Sequence, residues 1–468
     1  MLLPARCPPR IPASPACVQF IERPMATTVS PSPSQAIIRL RERLAQARAR
    51  TDELFQLVRP EAIYDRPIPE RHRIIFYVGH LEAFDWNLIG AHVLARPALD
   101  PVLDRRFAFG IDPVGSELPS DEPQDWPRLD EVRRYVERAR SRLDSILLDP
   151  GFADAVDPRL GAGTLLNVAL EHRLMHAETL TYMLHQLSPS AKVVGPVAVP
   201  PAGSAPDPRA IDVPAGAITL GRRRTSPGFG WDNEFEAHAV EVPSFAIDAT
   251  KVSTAAYLRF VEAQGYHLRE HWTAEDWTWI QDRGLTHPNF WFRAGNQWMQ
   301  RTMFGAIPLP LSWPVYVSHA EASAYAHWAG KRLPTEAEWQ RAAHGTAAGD
   351  ERAYPWGDDL PTSAHGNFDF QRWEPAPVNA YPAGASAFGA WDLLGNGWEW
   401  TSTPFAPFPG FTPFTFYPGY SADFFDGRHF VLKGASARTA ACMLRRSFRN
   451  WYQAHYGYVY AGFRCVQD

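Results

Sequence analysis

The chain has 468 residues, which is enough for two or three domains that each bury a core. Charged residues make up 21% and the net charge is −5, so the composition points to neither nucleic acid nor a membrane as a partner. The sequence contains no run of about 18 apolar residues, so no transmembrane helix is predicted. The four cysteines (Cys7, Cys17, Cys442 and Cys465) have no metal-type pair spacing, so we expect no disulfide framework and a cytoplasmic location.

The first part of the chain predicts a helical bundle. Residues 1–34 are rich in proline and serine, and we expect a disordered tail in which either Met1 or Met25 is the start. Beyond the tail, apolar residues recur at helical spacing in four segments. These are residues 35–58, 69–95, 129–148 and 163–187. Four amphipathic helices predict a four-helix bundle over residues 35–187.

The second part of the chain has a different residue pattern, with short strand-like segments in place of long helical ones. A Pro/Ala-rich linker is predicted over residues 188–210. Short strand-like segments then alternate with Gly, Pro and Asn turns over residues 211–468, with two clear helices from Ser253 to Ala263 and from Ser318 to Trp328. The whole chain is therefore expected to be α+β.

The fourth predicted helix carries a possible metal-binding pair, His172 and His176. Residues four apart lie on one helix face, where two imidazoles can bind one metal. Glu178 points to roughly the opposite side, so the third ligand must come from another helix. His80, beside Gly79 in an apolar segment, is the best candidate. Imidazole ligands suit iron, zinc, copper and nickel, so the ligands alone do not identify the metal. In the alternative interpretation no metal is bound: His172 and His176 are solvated, and His80 is a hydrogen-bonded core residue.

Several phrases of the C-terminal part resemble the formylglycine-generating-enzyme (sulfatase-modifying-factor) domain, which has a C-type-lectin-like fold. They span 230–234 (GWDNE), 331–339 (KRLPTEAEW), 354–357 (YPWG), 392–400 (DLLGNGWEW) and 461–464 (AGFR). The stretch 433–437 (KGASA) departs from the family's usual Arg-Gly-Gly-Ser-aromatic sequence, so that loop is expected to differ in shape.

The bundle resembles the DinB-like domain that accompanies this fold in the ergothioneine-biosynthesis sulfoxide synthases. Those enzymes carry a His-x3-His-x-Glu motif, here at His172, His176 and Glu178, and one earlier histidine, here His80. The resemblance implies that the three histidines bind iron(II), with dioxygen as co-substrate. It also implies a small-molecule substrate, hercynine, whose imidazole carbon becomes bonded to sulfur or selenium.

The same resemblance implies further site residues near the C-terminus. Tyr417 and Tyr420 match the family's tyrosine pair, of which Tyr417 is the catalytic member that supplies a proton and favours bond formation over oxidation of the donor. Asn450 and Trp451 match the loop on the hercynine side. Asn450 is expected to hydrogen-bond the substrate, and Trp451 to face its trimethylammonium group. Trp86 is expected to pack in the core.

Three departures from the family concern the sulfur or selenium donor. Met175 replaces a glutamine, and Tyr452 and Tyr456 replace an aspartate and an arginine that hold the charged ends of γ-glutamylcysteine. Hydroxyl and aromatic groups suit a sugar better than a charged dipeptide. The selenoneine synthase branch, which uses a selenosugar, is therefore favoured over an ergothioneine-type enzyme that uses γ-glutamylcysteine or cysteine.

Other functions remain open at this point. A formylglycine-generating enzyme proper requires a local cysteine pair, which Cys442 and Cys465 do not form in the sequence. A non-catalytic lectin-like binding module is a further alternative. A structural calcium ion is a possibility near Asp358, Asp359 and Asn367, and the oligomeric state is not predicted.

Overall fold

The computed structural model describes residues 33–108, 118–153, 163–199, 205–206 and 208–467. The predicted tail falls outside the described residues, except for its last two, which belong to the first helix. Among the described residues, no helix is both long and apolar enough to span a bilayer. The cytoplasmic location stays a prediction.

The N-terminal part is helical, as predicted. Its helices are α1 (Pro33–Gln56), α2 (Ile74–Asp85), α3 (Pro101–Arg106), α4 (Leu129–Leu148), α5 (Pro150–Ala153) and α6 (Thr164–Gln186). Helix α2 continues into π-helical turns over Trp86–Val93, in which Trp86 is buried. Helix α1 packs along α6 and helix α2 packs against α4. The four predicted helices correspond to α1, α2 with its extension, α4 and α6.

The burial of each helix follows its sequence pattern. In α4 the buried residues recur every three or four positions, which leaves one exposed face. They are Val132, Tyr135, Ala139, Leu143 and Leu147. Helix α6 is instead buried on nearly every side, because it lies between α1, α2 and the C-terminal domain. The candidate metal ligands of α6 are therefore in the interior of the molecule.

The C-terminal part combines four helices with short strands. The helices are α7 (Thr254–Glu262), α8 (Ala274–Arg283), α9 (His319–Trp328) and α10 (Glu336–His344). The strands are β1 (Ala210–Val213), β2 (Gly216–Leu220), β3 (His238–Val242), β4 (Phe245–Asp248), β5 (Trp291–Ala294), β6 (Gln297–Thr302), β7 (Gly305–Pro308), β8 (Gly397–Pro404), β9 (His429–Ala435), β10 (Asn450–Gln453), β11 (Ala461–Gly462) and β12 (Val466–Gln467). The fold is α+β, as predicted.

These strands form four small sheets, with strand orders β1-β4-β12, β10-β9-β8-β11, β2-β3 and β5-β6-β7. All pairs are antiparallel except β8 with β11. In the four-stranded sheet Trp451 lies opposite Val431 and Tyr452 lies opposite Phe430. Strand β10 therefore carries the residues of the predicted substrate loop at the edge of this sheet.

Two of the four C-terminal helices were predicted, and two were not. Helices α7 and α9 match the segments at 253–263 and 318–328 within one residue at each end. Helix α10 begins with a capping box in which Thr335 and Glu338 satisfy each other's backbone amides. That Thr-x-x-Glu pattern was a usable signal for α10, and Thr273 at the start of α8 was a weaker one.

A buried ionic cluster joins several of the sequence motifs that carry the family resemblance. The Glu399 carboxylate accepts two hydrogen bonds from Arg464, of 2.6 and 2.8 Å, and lies 3.0 Å from the Lys251 ammonium. Trp339 donates its indole hydrogen to the same carboxylate at 3.0 Å. Asp392 lies 3.9 Å from Lys251. The phrases at 331–339, 392–400 and 461–464 thus meet in one charged core.

Candidate metal centre

Three histidines from two helices converge in the bundle. His80 comes from α2, and His172 and His176 come from α6; one nitrogen of each lies within 4.8 Å of the others. All three side chains are buried, at most 3% exposed. The Nε2 atoms of His172 and His176 are 3.2 Å apart. Among the described residues this is the one group of three or more His, Cys, Asp or Glu side chains placed to bind a metal.

The orientation of His80 is fixed by a hydrogen bond to the backbone. Its Nδ1 donates to the carbonyl of Phe107 at 2.6 Å, which leaves Nε2 as the nitrogen with a lone pair. This Nε2 is buried and has no hydrogen-bond partner among the described residues. Gly79 permits the arrangement, because a Cβ there would lie 2.5 Å from the Phe107 ring. A buried imidazole nitrogen without a partner fits a metal ligand.

Burial also sets the charge state of the three imidazoles. It lowers the pKa of His80 to about 4, against the raising effect of the Phe107 hydrogen bond. Burial, followed by the neighbouring histidines, lowers the pKa of His172 and His176 well below the usual value. At neutral pH the three rings are therefore uncharged, which is the form that binds a metal.

A series of aromatic contacts runs from the histidines to the C-terminal domain. The Phe84 ring stacks on His172 with 3.5 Å between centroids and meets Tyr417 edge-on at 5.4 Å. Tyr417 lies 5.5 Å from Tyr420, which in turn lies 5.4 Å from Trp451. Both members of the predicted tyrosine pair are therefore linked to the histidine cluster through Phe84.

Met175 and Tyr420 meet across the domain boundary. The Tyr420 hydroxyl donates to the Met175 sulfur at 3.5 Å, and its ring stacks on Trp231 at 3.8 Å. Burial raises the pKa of Tyr420 well above its usual value, so this phenol keeps its proton. Met175, the neighbour of His176 in the sequence, thus contacts one member of the predicted tyrosine pair.

Asn450 and Trp451 lie at the start of β10. The Asn450 side-chain oxygen accepts from the Trp451 backbone amide at 2.9 Å. One face of the Trp451 ring is covered by Phe405, stacked at 4.2 Å. The chain of aromatic contacts brings Trp451 toward the histidines, and contact of either residue with a substrate stays a prediction.

Tyr452 and Tyr456 form a second group of contacts with the helical bundle. Their rings stack at 5.3 Å. Arg71, from the loop before α2, donates to the Tyr456 hydroxyl at 2.8 Å and to Tyr182 at 3.1 Å. A buried guanidinium from the bundle therefore contacts Tyr456, one of the positions where the resemblance led us to expect a departure from the family.

Helix α6 is bound to the C-terminal domain along one stripe. Residues spaced four and three apart along the helix all contact that domain. They are Glu171, Met175, Glu178, Tyr182 and His185. The same helix therefore carries two of the clustered histidines on one side and the domain contacts on the neighbouring side.

Glu178 has a role that the sequence left open. Its carboxylate accepts from the Trp398 indole at 2.7 Å, from Ser436 at 2.5 Å and from Thr439 at 2.8 Å. Burial raises the pKa of Glu178, although these three hydrogen bonds act in the opposite direction. It is directed away from the histidine cluster, as its position two residues after His176 implied. Ser436 belongs to the loop 433–437, whose sequence differs from the one expected for the family.

Glu171 makes a comparable contact at the other end of the stripe. It accepts from the Trp231 indole at 2.8 Å and from both terminal nitrogens of Arg445, at 2.8 and 3.0 Å. No sequence pattern indicated Phe84, Arg71 or Glu171 as site residues, because each lies at an ordinary helix or loop position and acquires its partners only in the folded protein.

Two weaker expectations concern cysteines and calcium. Cys442 and Cys465 are both free thiols, and Cys465 is buried in the core. In the region proposed for calcium, Asp358 accepts from the Ala353 amide, and Asn367 donates to the Glu374 carbonyl and to Asn396. A structural calcium ion stays a prediction.

Comparison with known proteins identifies both parts of the chain. Residues 197–468 match the sulfatase-modifying factor enzyme 1-like domain family, and residues 43–180 match the DinB superfamily. The domain boundaries predicted from composition, 35–187 and 211–468, are close to these matches but stay predictions.

Curated relatives match nearly the whole chain. The hercynine oxygenase of Mycobacterium tuberculosis is 38% identical over 433 residues, which is 91% of this chain and 97% of that protein. The hercynine oxygenase of Mycolicibacterium thermoresistibile is 36% identical over 84% of this chain and 86% of that protein. Ergothioneine biosynthesis protein 1 of Neurospora crassa is 30% identical over 88% of this chain and 56% of that protein.

Proposed function

Because the chain belongs to the hercynine oxygenase family and is an oxidoreductase, we propose that it is an iron(II)- and O2-dependent enzyme that joins selenium or sulfur to the imidazole carbon of hercynine. The observation that carries the proposal is the buried three-histidine cluster beside the tyrosine pair, at the boundary of the two domains. The family membership and this intact cluster both argue against a non-catalytic lectin-like module.

His80, His172 and His176 are proposed to hold the iron. Three neutral imidazoles leave coordination positions for other ligands, and the buried, unpartnered Nε2 of His80 fits this role. When bound, iron(II) supplies the binding site for dioxygen and for the donor's chalcogen. The protein's part is to orient the three rings, through the Phe107 carbonyl and the Phe84 stack, and to enclose the site with aromatic side chains.

Tyr417 is proposed as the proton donor, and Asn450 and Trp451 as contacts for hercynine. Tyr417 meets Phe84, which stacks on the ligand His172, so its ring lies at the edge of the centre. Trp451 lies behind Tyr420 in the same series of rings. A substrate imidazole placed between the histidines and these rings is shielded from water and lies near a phenol.

The donor is proposed to be a selenosugar. Met175, Tyr452 and Tyr456 present sulfur, aromatic and hydroxyl groups where the family carries amide and charged groups, and such a surface suits a neutral polyhydroxylated molecule. The second candidate is γ-glutamylcysteine. It is favoured by the buried Arg71 beside Tyr456, since a guanidinium is a strong partner for a carboxylate.

The test is a competition between donors. The chain is loaded with iron(II) without oxygen, then mixed with oxygen, hercynine, a selenosugar and γ-glutamylcysteine, and the products are read by mass spectrometry. We expect a selenium-containing hercynine derivative. A sulfoxide from the dipeptide would keep the reaction class and overturn the donor, and no product from an iron-loaded protein would overturn the substrate.

A matched pair of histidine variants completes the test. His176→Ala is expected to lose both bound iron and product formation, because only two of the three proposed imidazole ligands remain. His92→Ala removes an exposed histidine outside the cluster and is expected to behave as the wild type. Retention of stoichiometric iron by His176→Ala would contradict the assigned ligand set.

A further inference from the structure

A buried arginine joins the two helices that carry the three histidines. Arg173, from α6, donates to the Asp85 carboxylate at 2.7 Å and forms an ion pair of 2.9 Å with Glu82. It also donates to the carbonyl of Leu81 at 3.0 Å. We call Arg173, Glu82 and Asp85 the helix-pair ion cluster; each of its side chains is at most 2% exposed. Its contacts tie α6 to α2 in the interior of the bundle.

The helix-pair ion cluster lies alongside the histidines on both helices. On α6, Arg173 directly follows His172, so its side chain leaves the helix about 100° further around the axis. On α2, Leu81 directly follows His80 and makes the same step around its own helix. One face of each helix therefore meets at the histidines, and the neighbouring face meets at Arg173.

The positive charge of Arg173 is near all three imidazoles. Burial is the main cause that lowers the pKa of His80, His172 and His176, and the charge of Arg173 contributes to the lowering at each of them. Because a Coulomb interaction weakens with distance, this shared effect indicates that the guanidinium is close to every proposed ligand.

The chemistry of the cluster suits the control of helix position. A buried ion pair adds little net stability, because the cost of removing two charges from water offsets much of their attraction, and its best-attested use is to fix a register. The planar guanidinium carries five donors in a rigid fork. Here the fork of Arg173 contacts one carbonyl and two carboxylates of α2. A shift or a rotation of one helix against the other would break several of these contacts at once.

We propose that Arg173 is a positioning residue for the metal: through the helix-pair ion cluster it holds His80 at the distance from the histidine pair of α6 at which three imidazoles bind one ion. The inference rests on the metal assignment in the proposed function and extends it to a residue that is not itself a ligand. The ion cluster sets the position of α2, whereas the Phe107 carbonyl sets the orientation of the His80 ring.

The test measures metal affinity and coordination geometry apart from turnover. The metal-free chain is titrated with Co(II), whose visible absorption bands report the coordination geometry, at a temperature well below the unfolding midpoint. Arg173→Lys keeps the positive charge, but a single ammonium cannot reproduce the planar fork. We expect the dissociation constant for Co(II) to rise about 10- to 100-fold, the usual effect of losing a residue that orients metal ligands, and the absorption bands to change.

Asp52→Asn is the matched control from the outer end of the same network. Asp52, on α1, accepts two hydrogen bonds of 2.7 Å from Arg140 of α4, which also donates to Glu82. This variant breaks a buried-to-surface ion pair of the bundle without touching either helix that carries a histidine. We expect lower stability, with the Co(II) dissociation constant and absorption bands of the wild type.

A double variant keeps the inference testable if Arg173→Lys fails to fold. Arg173→Met/Asp85→Asn removes the guanidinium together with the carboxylate nearest to it, and Glu82 keeps its partner Arg140 at 2.8 Å. An apolar side chain packs without the directional contacts of the fork, so the same loss of Co(II) affinity is expected.

A Co(II) dissociation constant and absorption bands equal to those of the wild type in either folded variant overturn the inference. Co(II) binding by the wild type that does not depend on His176 overturns it as well. Failure of the proposed function has a different signature, in which the variants show the expected order of Co(II) affinity but the iron-loaded wild type yields no hercynine product in air.

Discussion

Tyr417 is linked to the histidine cluster through a single intervening side chain. Phe84 lies between it and His172, with its ring at 12° to the imidazole plane and at 61° to the phenol plane. Phe84 comes from the same helix as His80, four residues further along, so the two side chains lie on one face of α2. This arrangement places the Tyr417 phenol at the edge of the histidine cluster, while the three histidines stay buried.

The Tyr417→Phe variant tests the proton-donor role. Loss of the hydroxyl removes the proposed proton source but keeps the ring that packs on Phe84. We therefore expect lower yield of coupled hercynine product and a larger share of oxidised donor, with iron content unchanged. Product ratios by mass spectrometry and oxygen consumption give the measurement. Equal product ratios in the variant and the wild type would remove Tyr417 from this role.

At the same scale, the sequence predicted some residues of the site and missed others. The His172–His176 pair was accessible because helical spacing alone puts both rings on one face. His80 was the best candidate for a third ligand because it lies in an apolar helix beside Gly79. Tyr417 came from a resemblance, since its approach to that face depends on tertiary packing. Arg71 could not be inferred, because its partners Tyr182 and Tyr456 are 111 and 385 residues away along the chain.

Helix α6 carries both the histidine pair of the candidate site and the contacts that hold the two domains together. Its apolar and polar residues give little helical asymmetry, because both sides are buried. Sequence periodicity detects a boundary between core and solvent, and this helix has none over most of its length. The helix itself was predicted within one residue at each end, but the carboxylates Glu171 and Glu178 could not be recognised as domain contacts.

Substitution of Glu178 tests how the domains are held together. Glu178→Ala leaves the Trp398 indole and the Ser436 and Thr439 hydroxyls without their buried acceptor, so we expect a loss in the free energy of unfolding on the order of 3 kcal/mol. Chemical denaturation measures it. Glu178→Gln keeps one acceptor oxygen and should lose less. Equal stability of all three proteins would mean that this contact is replaced by water.

Within the whole molecule, a buried charge of the C-terminal core makes stability depend on pH. Burial raises the pKa of Asp392 to about 7, although Lys251 and the Asn396 hydrogen bond lower it. The folded protein thus binds this proton more tightly than the unfolded chain does. The stabilisation from the proton is complete below the unfolded pKa of about 4 and is lost as the pH rises through about 7.

The Asp392→Asn variant isolates this effect. Asparagine has the same shape, tolerates the positive φ of 59° at this position, and cannot ionise. We expect the difference in unfolding free energy between wild type and variant to shift by a few kcal/mol between pH 4 and pH 8, with the wild type losing stability as the pH rises. Parallel stability curves for the two proteins would contradict the raised pKa.

The two-sided helix α6 has a thermodynamic consequence for the complete protein. In the proposed enzyme, metal binding would order His172 and His176, and docking of the C-terminal domain would order Glu171, Met175 and Glu178 on the same helix. Two events that order one element are coupled, and a coupling free energy is reciprocal. By whatever factor docking of the C-terminal domain strengthened metal binding, a bound metal would strengthen domain docking by the same factor, so that metal occupancy and domain assembly would form one cooperative equilibrium.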